Sequence, residues 1–345
     1  MINAAVVGAT GYAGAELVRI LCGHPKVRLT LLTSRQYAGK RFDEIYPSMA
    51  GLVELICQPY SAELVCDQAD VIFLALPHKL PMKIVPDLMA AGKYIIDLSA
   101  DFRYSDLSLY ENFYQPHTAK AFNDQAVYGL SEVNTTALSS SKLIGNPGCY
   151  PTSVLLPLIP LLMRGMIKPN GIIADAKSGV SGAGRTASLT THICQVTESF
   201  KAYKVGTHRH TSEMEENLSK AAGSEVKLTF VPHLLPMSRG METTIYTRPK
   251  AGITLKDIRN CLEDFYRERY FIRILKDGAI PDTLNVRGTN FCDIGFHLDL
   301  TRGCLTLLAV IDNLVKGAAG QAVQNMNLML GFEESTGLTA IPFPM

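Results

Sequence analysis

Short apolar runs alternate with amphipathic stretches over the first ~150 residues, the spacing of strand–helix units. "INAAVVGA" is β-branched and apolar and stops at glycine. "GAELVRILCGHP" follows with helical periodicity and ends at Gly23 and Pro25. "VRLTLLTS" predicts a second strand, "ADVIFLALP" a fully buried one, and "YIIDLSA" another. "MKIVPDLMAAGK" keeps a helical pattern in spite of Pro86. Alternation of this kind predicts an α/β fold with a doubly wound parallel sheet of Rossmann type.

After residue 150 the texture changes. "TSVLLPLIPLLMRG" is an apolar helix. "GIIADAKSG", "VKLTFVPH", "METTIYTRP", "DIGFHLDL" and "CLTLLAVID" read as longer strands, several joined by short turns. "TLKDIRNCLEDFYRERY" is a clear amphipathic helix. This half predicts an α+β domain with a mainly antiparallel sheet. The last helix, "LVKGAAGQAVQNMNLML", mixes small and apolar residues that allow close packing, back onto the first domain. The expected division is 1–148 plus 313–345 for nucleotide binding and 149–312 for catalysis and oligomerisation.

Totals narrow the classes. A chain of 345 residues with 47% hydrophobic and 19% charged residues has material for two cores. A net charge of +1, with both signs scattered, offers neither a nucleic-acid footprint nor a membrane patch. No run is long and unbroken enough to span a bilayer. The N-terminus reads as a strand and not a targeting segment, so the expected compartment is the cytoplasm. Eight cysteines without C-x-x-C spacing argue against a zinc ribbon or a thioredoxin-type site. Most are expected to be small buried hydrophobes.

Two glycine-rich turns stand out. "VVGATGYAGAE" puts Gly8, Gly11 and Gly14 after a strand and before a helix, where glycine lets the backbone approach a pyrophosphate. Ala9 and Thr10 between the first two glycines depart from G-x-G-x-x-G, and the strand–turn–helix context strengthens the pattern. About 20 residues on, a ribose-reading acid is normal. Here the segment is "LTLLTSRQYAGKR", with Ser34 and Arg35 and no carboxylate before Asp43. Serine and arginine suit a 2′-phosphate, so the expected cofactor is NADP(H) rather than NAD.

The second turn is "GNPGCYPT". Cys149 follows strand-like "SKLIGNPG" and opens a helix, where the dipole favours a thiolate and backbone N–H groups can hold an oxyanion. A nucleophile needs an acid/base partner. "GTHRHTSEMEE" supplies His208 and His210 with Glu213 nearby, and the residues alone leave the two histidines open. H-x-H lacks a third ligand, so no metal is expected. "KSGVSGAGR" is a further glycine-rich loop able to approach nicotinamide and substrate, and "DLSADFR" ends a strand with Arg103, placed to grip an anion.

At these residues the chain resembles the N-acetyl-γ-glutamyl-phosphate reductases of arginine biosynthesis, within the semialdehyde dehydrogenase superfamily. The likeness runs along essentially the whole chain, through "GATGYAGAELVR", "LTSR", "ALPH", "DLSADFR", "YGLSE", "GNPGCYPT", "KSGVSGAGR", "HRHTSE" and "DNLVKGAAGQAVQNMN". It implies NADPH-dependent reduction of an acyl phosphate to an aldehyde through a cysteine thioester. It further implies Cys149 as nucleophile, His208 as general acid/base supported by Glu213, and His210 assisting. Arg103 and Arg185 would hold the substrate's anionic groups. Gly8, Thr10, Gly11, Ser34 and Arg35 would bind the dinucleotide, with Ser99, Ser178, Gly179 and Asn313 near the nicotinamide. A homodimer or homotetramer is implied. Ser212 stands where the family more often has proline. The alternatives are a relative acting on β-aspartyl or aminoadipyl phosphate, and a non-catalytic NADP-binding regulator whose Cys149 senses oxidants.

Overall fold

The computed structural model describes residues 1–342; residues 343–345, the end of the expected 313–345 stretch, lie outside the described residues. Seven short strands form the first sheet: β1 (Ile2–Val7), β2 (Val27–Thr33), β3 (Cys57–Gln58), β4 (Val71–Leu74), β5 (Tyr94–Asp97), β6 (Ala126–Tyr128) and β7 (Leu143–Gly145). Their order is β3-β2-β1-β4-β5-β7-β6 and every pairing is parallel. Parallel strands need helices on the sheet faces, so β4 and the inner part of β1 are apolar at every position. The order reverses at β1, and the crevice outside the carboxyl ends of β1 and β4 is where such sheets take ligands.

The strands of the second sheet are β8 (Ile172–Gly179), β9 (Lys201–Ala202), β10 (Leu228–Leu235), β11 (Met241–Thr247), β12 (Ile272–Ile274), β13 (Cys292–Asp299) and β14 (Cys304–Ile311). Their order is β12-β13-β14-β11-β8-β10-β9. Four of the six pairings are antiparallel; β8 with β10 and β12 with β13 run parallel. The fold is therefore the expected α/β sheet plus a mixed, mainly antiparallel one. The parallel β8–β10 pair was not legible as such, because alternation alone carries no strand direction.

The Cys149–Met163 helix packs beside β11 and β14 and is buried almost throughout. It carries Pro157 and Pro160 in its interior. Pro160 has no N–H for the Leu156 carbonyl, and the Tyr266 hydroxyl donates to that carbonyl instead, at 2.5 Å. A buried orphan acceptor is thus satisfied from the neighbouring Leu255–Tyr266 helix, whose start is locked by a Thr254–Asp257 capping box.

Two compact units result: one of Met1–Pro147 with Ala318–Thr339, the other of Gly148–Gly317 with residues 340–342. Residues 313–317, expected with the nucleotide-binding part, belong to the second unit. The reason is local: Asn313 accepts from Gly240 N–H and donates to Ser181 Oγ, each at 2.9 Å. The final Gly320–Met329 helix packs in the first unit, against the Tyr12–Cys22 and Ser131–Leu138 helices.

Gly14 shows how tightly β1 meets its helix. A Cβ there would lie 2.3 Å from the Gly8 carbonyl oxygen and 2.9 Å from Ala9 backbone. Gly14→Ala is expected to cost about 1–3 kcal/mol through overpacking, read by chemical denaturation, with weaker dinucleotide binding in the folded variant.

Candidate active site

In the second unit, Cys149 is the first residue of its helix and is half-buried. Its N-cap is Gly148, which offers no side chain to the helix start. Three surfaces press on this turn. A Cβ on Gly148 would lie 2.6 Å from His210 Nε2, so the imidazole is against the backbone just before the cysteine. A Cβ on Gly317 would lie 2.8 Å from Cys149 Cβ, so backbone also closes behind the thiol. The Gly148 N–H donates to Glu213 Oε1 at 2.9 Å, in a fully buried contact. The resemblance implies Glu213 as support for His208; its carboxylate also reaches the turn that carries the cysteine.

The two histidines have different surroundings. His208 is buried, and its Nδ1 accepts the His210 backbone N–H at 3.1 Å, so the proton of the neutral ring is on Nε2. Aromatic rings of Tyr150, Tyr203 and Phe230 meet it edge-on at 5.6, 5.6 and 5.4 Å between centroids. Burial, then the charges of Arg209 and Lys204, push His208 down to about 4. His210 opens the His210–Ala222 helix, is half-buried, and lies 4.8 Å from the His208 ring. Tyr150 ties the cluster together: its hydroxyl donates to the His233 carbonyl at 3.3 Å and accepts from Tyr203 at 3.1 Å. Burial raises both tyrosines, Tyr203 to about 12. Tyr150, Tyr203 and Gly317 were missed as site residues from sequence, since aromatic contacts of this kind need tertiary neighbours.

Ser178, Gly179 and Asn313 also come together. Gly179 admits no Cβ, which would lie 2.9 Å from the backbone of residues 237–239. Asn313 holds the Val180–Ala183 turn through Ser181. Arg185 follows this turn, half-buried.

In the first unit, the glycine turn after β1 fits a dinucleotide phosphate. Gly8 has φ +88°, and a Cβ there would lie 2.4 Å from the Ala75 carbonyl oxygen beyond β4. Gly11, the N-cap of the Tyr12–Cys22 helix, gives no side-chain cap, and the only atom near its Cβ position is Gly8 O at 3.8 Å. An open helix start of this kind suits an anion. Thr10 Oγ1 bonds Ser34 Oγ at 2.8 Å, joining the turn to the end of β2. Arg35 is exposed there, while Arg41 is engaged by Asp43 and Glu54. At the end of β5, Ser99 donates both N–H and Oγ–H to the buried Asp97 carboxylate, at 2.9 and 2.7 Å. Burial, then Asp101, raises Asp97 above the usual carboxylate range. Arg103 is buried, and donates to the Asn146 carbonyl at 2.6 Å and the Leu98 carbonyl at 2.8 Å. It therefore braces the strand end ahead of the cysteine turn, beside any role toward an anion.

Two family models match the chain: the semialdehyde dehydrogenase NAD binding domain over residues 3–141 and its dimerisation domain over 149–313. The chain belongs to the semialdehyde dehydrogenase family. It is an oxidoreductase of that family. Among curated relatives, the N-acetyl-gamma-glutamyl-phosphate reductase of Desulforapulum autotrophicum is 53% identical over 99% of each chain. That of Desulfotalea psychrophila is 51% identical over 100% of each. In solved structures, aspartate semialdehyde dehydrogenase II from Vibrio cholerae has a TM-score of 0.73 at 19% identity, covering 96% of this chain and 98% of that one. The family's fold is what that likeness carries. Among the described residues no helix is long and apolar enough to cross a membrane, and no group of three or more His, Cys, Asp or Glu could hold a metal ion.

The depressed His208 gives a stability prediction. Its folded value, about 4, lies below the ordinary 6.5. The unfolded chain thus takes up the proton first, so this contribution is whole above pH ~6.5 and is lost as pH falls toward ~4. His208→Gln should flatten the fall of unfolding free energy across that window, measured by denaturant titration at stepped pH. An unchanged slope would contradict a buried neutral imidazole.

Proposed function

We propose that this enzyme reduces N-acetyl-L-glutamyl 5-phosphate to N-acetyl-L-glutamate 5-semialdehyde and phosphate, with NADPH, as a cytoplasmic step of arginine biosynthesis. The observation that carries the chemistry is Cys149 at a glycine-capped helix start, with His210 Nε2 against Gly148. The substrate rests on relatives of that name at 53% and 51% identity over nearly full length. An aspartate semialdehyde dehydrogenase, the alternative, is represented by folds at 19% identity.

Cys149 attacks the acyl carbon; the C–S bond forms, the C–O bond to phosphate breaks, and phosphate leaves. N–H groups at the start of the Cys149–Met163 helix hold the oxyanion. When bound, NADPH supplies the hydride that reduces the thioester. Sulfur then departs as thiolate from the reduced carbon and the aldehyde is released. A histidine takes the thiol proton as sulfur attacks and returns it as sulfur leaves. The resemblance implies His208 in that role; the environment favours His210. His208 has its Nδ1 occupied, is held neutral by burial, and packs among aromatic rings, which suits positioning. Glu213 steadies the turn through Gly148 N–H. Arg103 and Arg185 are the proposed anion-binding residues. Gly8, Thr10, Gly11, Ser34 and Arg35 would hold the dinucleotide, with Ser99, Ser178, Gly179 and Asn313 toward its nicotinamide end.

The preference for NADP over NAD rests on Arg35, exposed at the end of β2, and on a sequence with no carboxylate from there until Asp43. A homodimer or homotetramer is supported by the family's dimerisation domain and by the outer face of the second sheet, where the paired Ile173 and Tyr246 are 41% and 40% exposed.

The deciding assay follows NADPH formation from N-acetylglutamate 5-semialdehyde, NADP and phosphate, with aspartate semialdehyde and a phosphate-free control beside it. Phosphate-dependent turnover of the acetylated substrate is expected, and Cys149→Ser should abolish it. Turnover of aspartate semialdehyde instead would move the assignment to the alternative, and full turnover by Cys149→Ser would favour a non-catalytic sensor. Arg35→Ala should raise KM for NADPH about 10- to 100-fold, the worth of a charged hydrogen bond, and leave KM for NADH nearly unchanged.

A further inference from the structure

Asn146 has every polar group of its backbone and side chain committed. Its N–H donates to the Asp97 carbonyl at 2.8 Å, and its carbonyl accepts Arg103 Nε at 2.6 Å. Its side-chain Nδ2 donates to the Ala318 carbonyl at 3.1 Å, which fixes the amide's orientation. The remaining Oδ1 accepts Asn325 Nδ2 at 3.0 Å. Asn325 is on the Gly320–Met329 helix, 0% exposed, and also donates to the Gly129 carbonyl at 2.8 Å. Its Oδ1 accepts the Ser131 hydroxyl at 2.7 Å, and Gln321 donates to that same hydroxyl.

This chain of amides is almost fully buried and is specific in two respects. The Asn325 orientation is forced, because a carbonyl such as Gly129 O can face only the NH₂ side. Gly129 is the residue that lets the amide in: a Cβ there would lie 2.4 Å from Asn325 Nδ2. Gly129 N–H in turn donates to Gly145 O at 2.9 Å, the residue before Asn146. The amide therefore holds the Asn146 side chain directly and Gly145, the last residue of β7, through Gly129; from there the chain continues through Pro147 and Gly148 to Cys149.

We infer that Asn325 is a positioning residue for the nucleophile: through Asn146 it sets the backbone from which the Cys149 turn departs. The inference rests on the proposed reading of Cys149 as nucleophile. Removing the amide takes the Asn325 donor from Asn146 Oδ1 and one of two donors, Asn325 and Gln321, from the buried Gly129 carbonyl, which frees the turn to shift. A shift of that size is felt in turnover and in thiol reactivity more than in cofactor binding.

The test compares Asn325→Leu, Asn325→Asp and Gly129→Ala with the wild type. Gly129→Ala attacks the same contact from the other side. Three readouts are taken: kcat and KM in the phosphate-dependent assay, NADPH affinity, and the iodoacetamide alkylation rate of Cys149 by peptide mass spectrometry. The exposed Cys22 and Cys194 serve as internal controls. A folded variant should lose about 10- to 100-fold in kcat, as sub-ångström to 1 Å misplacement does, and change in Cys149 alkylation while the control cysteines do not. NADPH affinity and KM should stay within about twofold, the signature of an interaction felt only at the reacting centre. Folded variants with kcat and Cys149 alkylation both within about twofold of wild type overturn the inference. Unfolding of all three also overturns it, since the network is then a requirement of folding. A Cys149→Ser enzyme that still turns over strikes the nucleophile reading itself, whatever the Asn325 variants do.

Discussion

The absence of a side chain governs the tightest turns of each unit. Within the first unit, a Cβ on Gly145 would lie 2.0 Å from the Phe102 carbonyl oxygen. Within the second, Gly148 admits the His210 ring and Gly317 admits Cys149 itself. Interiors packed to crystal-like density leave no slack for a methyl group at such points. In the second unit, a helix start and an imidazole can meet beside one thiol because backbone, not side chain, occupies Gly148.

Such close packing puts polar groups where water does not reach, and several carboxylates there have partners. Glu213, fully buried, accepts the Gly148 N–H. Asp97 receives two hydrogen bonds from Ser99, and Asp101 accepts from Lys79 and Met82 backbone and from the Tyr110 hydroxyl. The Asp101 contacts hold the start of the Pro81–Ala90 helix, and Lys79 there takes a positive φ of 76°. Left unanswered, each of these groups would cost about 1–3 kcal/mol or more. The same low polarity that demands partners also keeps His208 neutral, so one physical condition sets both the stability and the chemistry of the site.

Glycine positions were the most informative part of the sequence. Gly8, Gly11 and Gly14 follow a strand in the pattern of a phosphate turn, and packing demands glycine at two of them, where a Cβ would lie 2.4 and 2.3 Å from a backbone oxygen at Gly8 and Gly14. The helix start at Cys149 was legible because glycine and proline before it act by a local rule that a few residues show. The histidines were harder. His208 and His210 are two residues apart and chemically alike, and what separates them is the set of rings and backbone around each.

The class of each sheet and its longer strands and helices were determined by the sequence alone, because periodicity, glycine and proline act over a few residues. The direction of the β8–β10 pair, the place of residues 313–317 and the reach of Glu213 to Gly148 were decided only by tertiary structure. So was the contact between Asn325 and Asn146, 179 residues apart. Hydrogen bonds across such separations depend on which elements pack together, and packing is a property of the whole chain that no local pattern encodes.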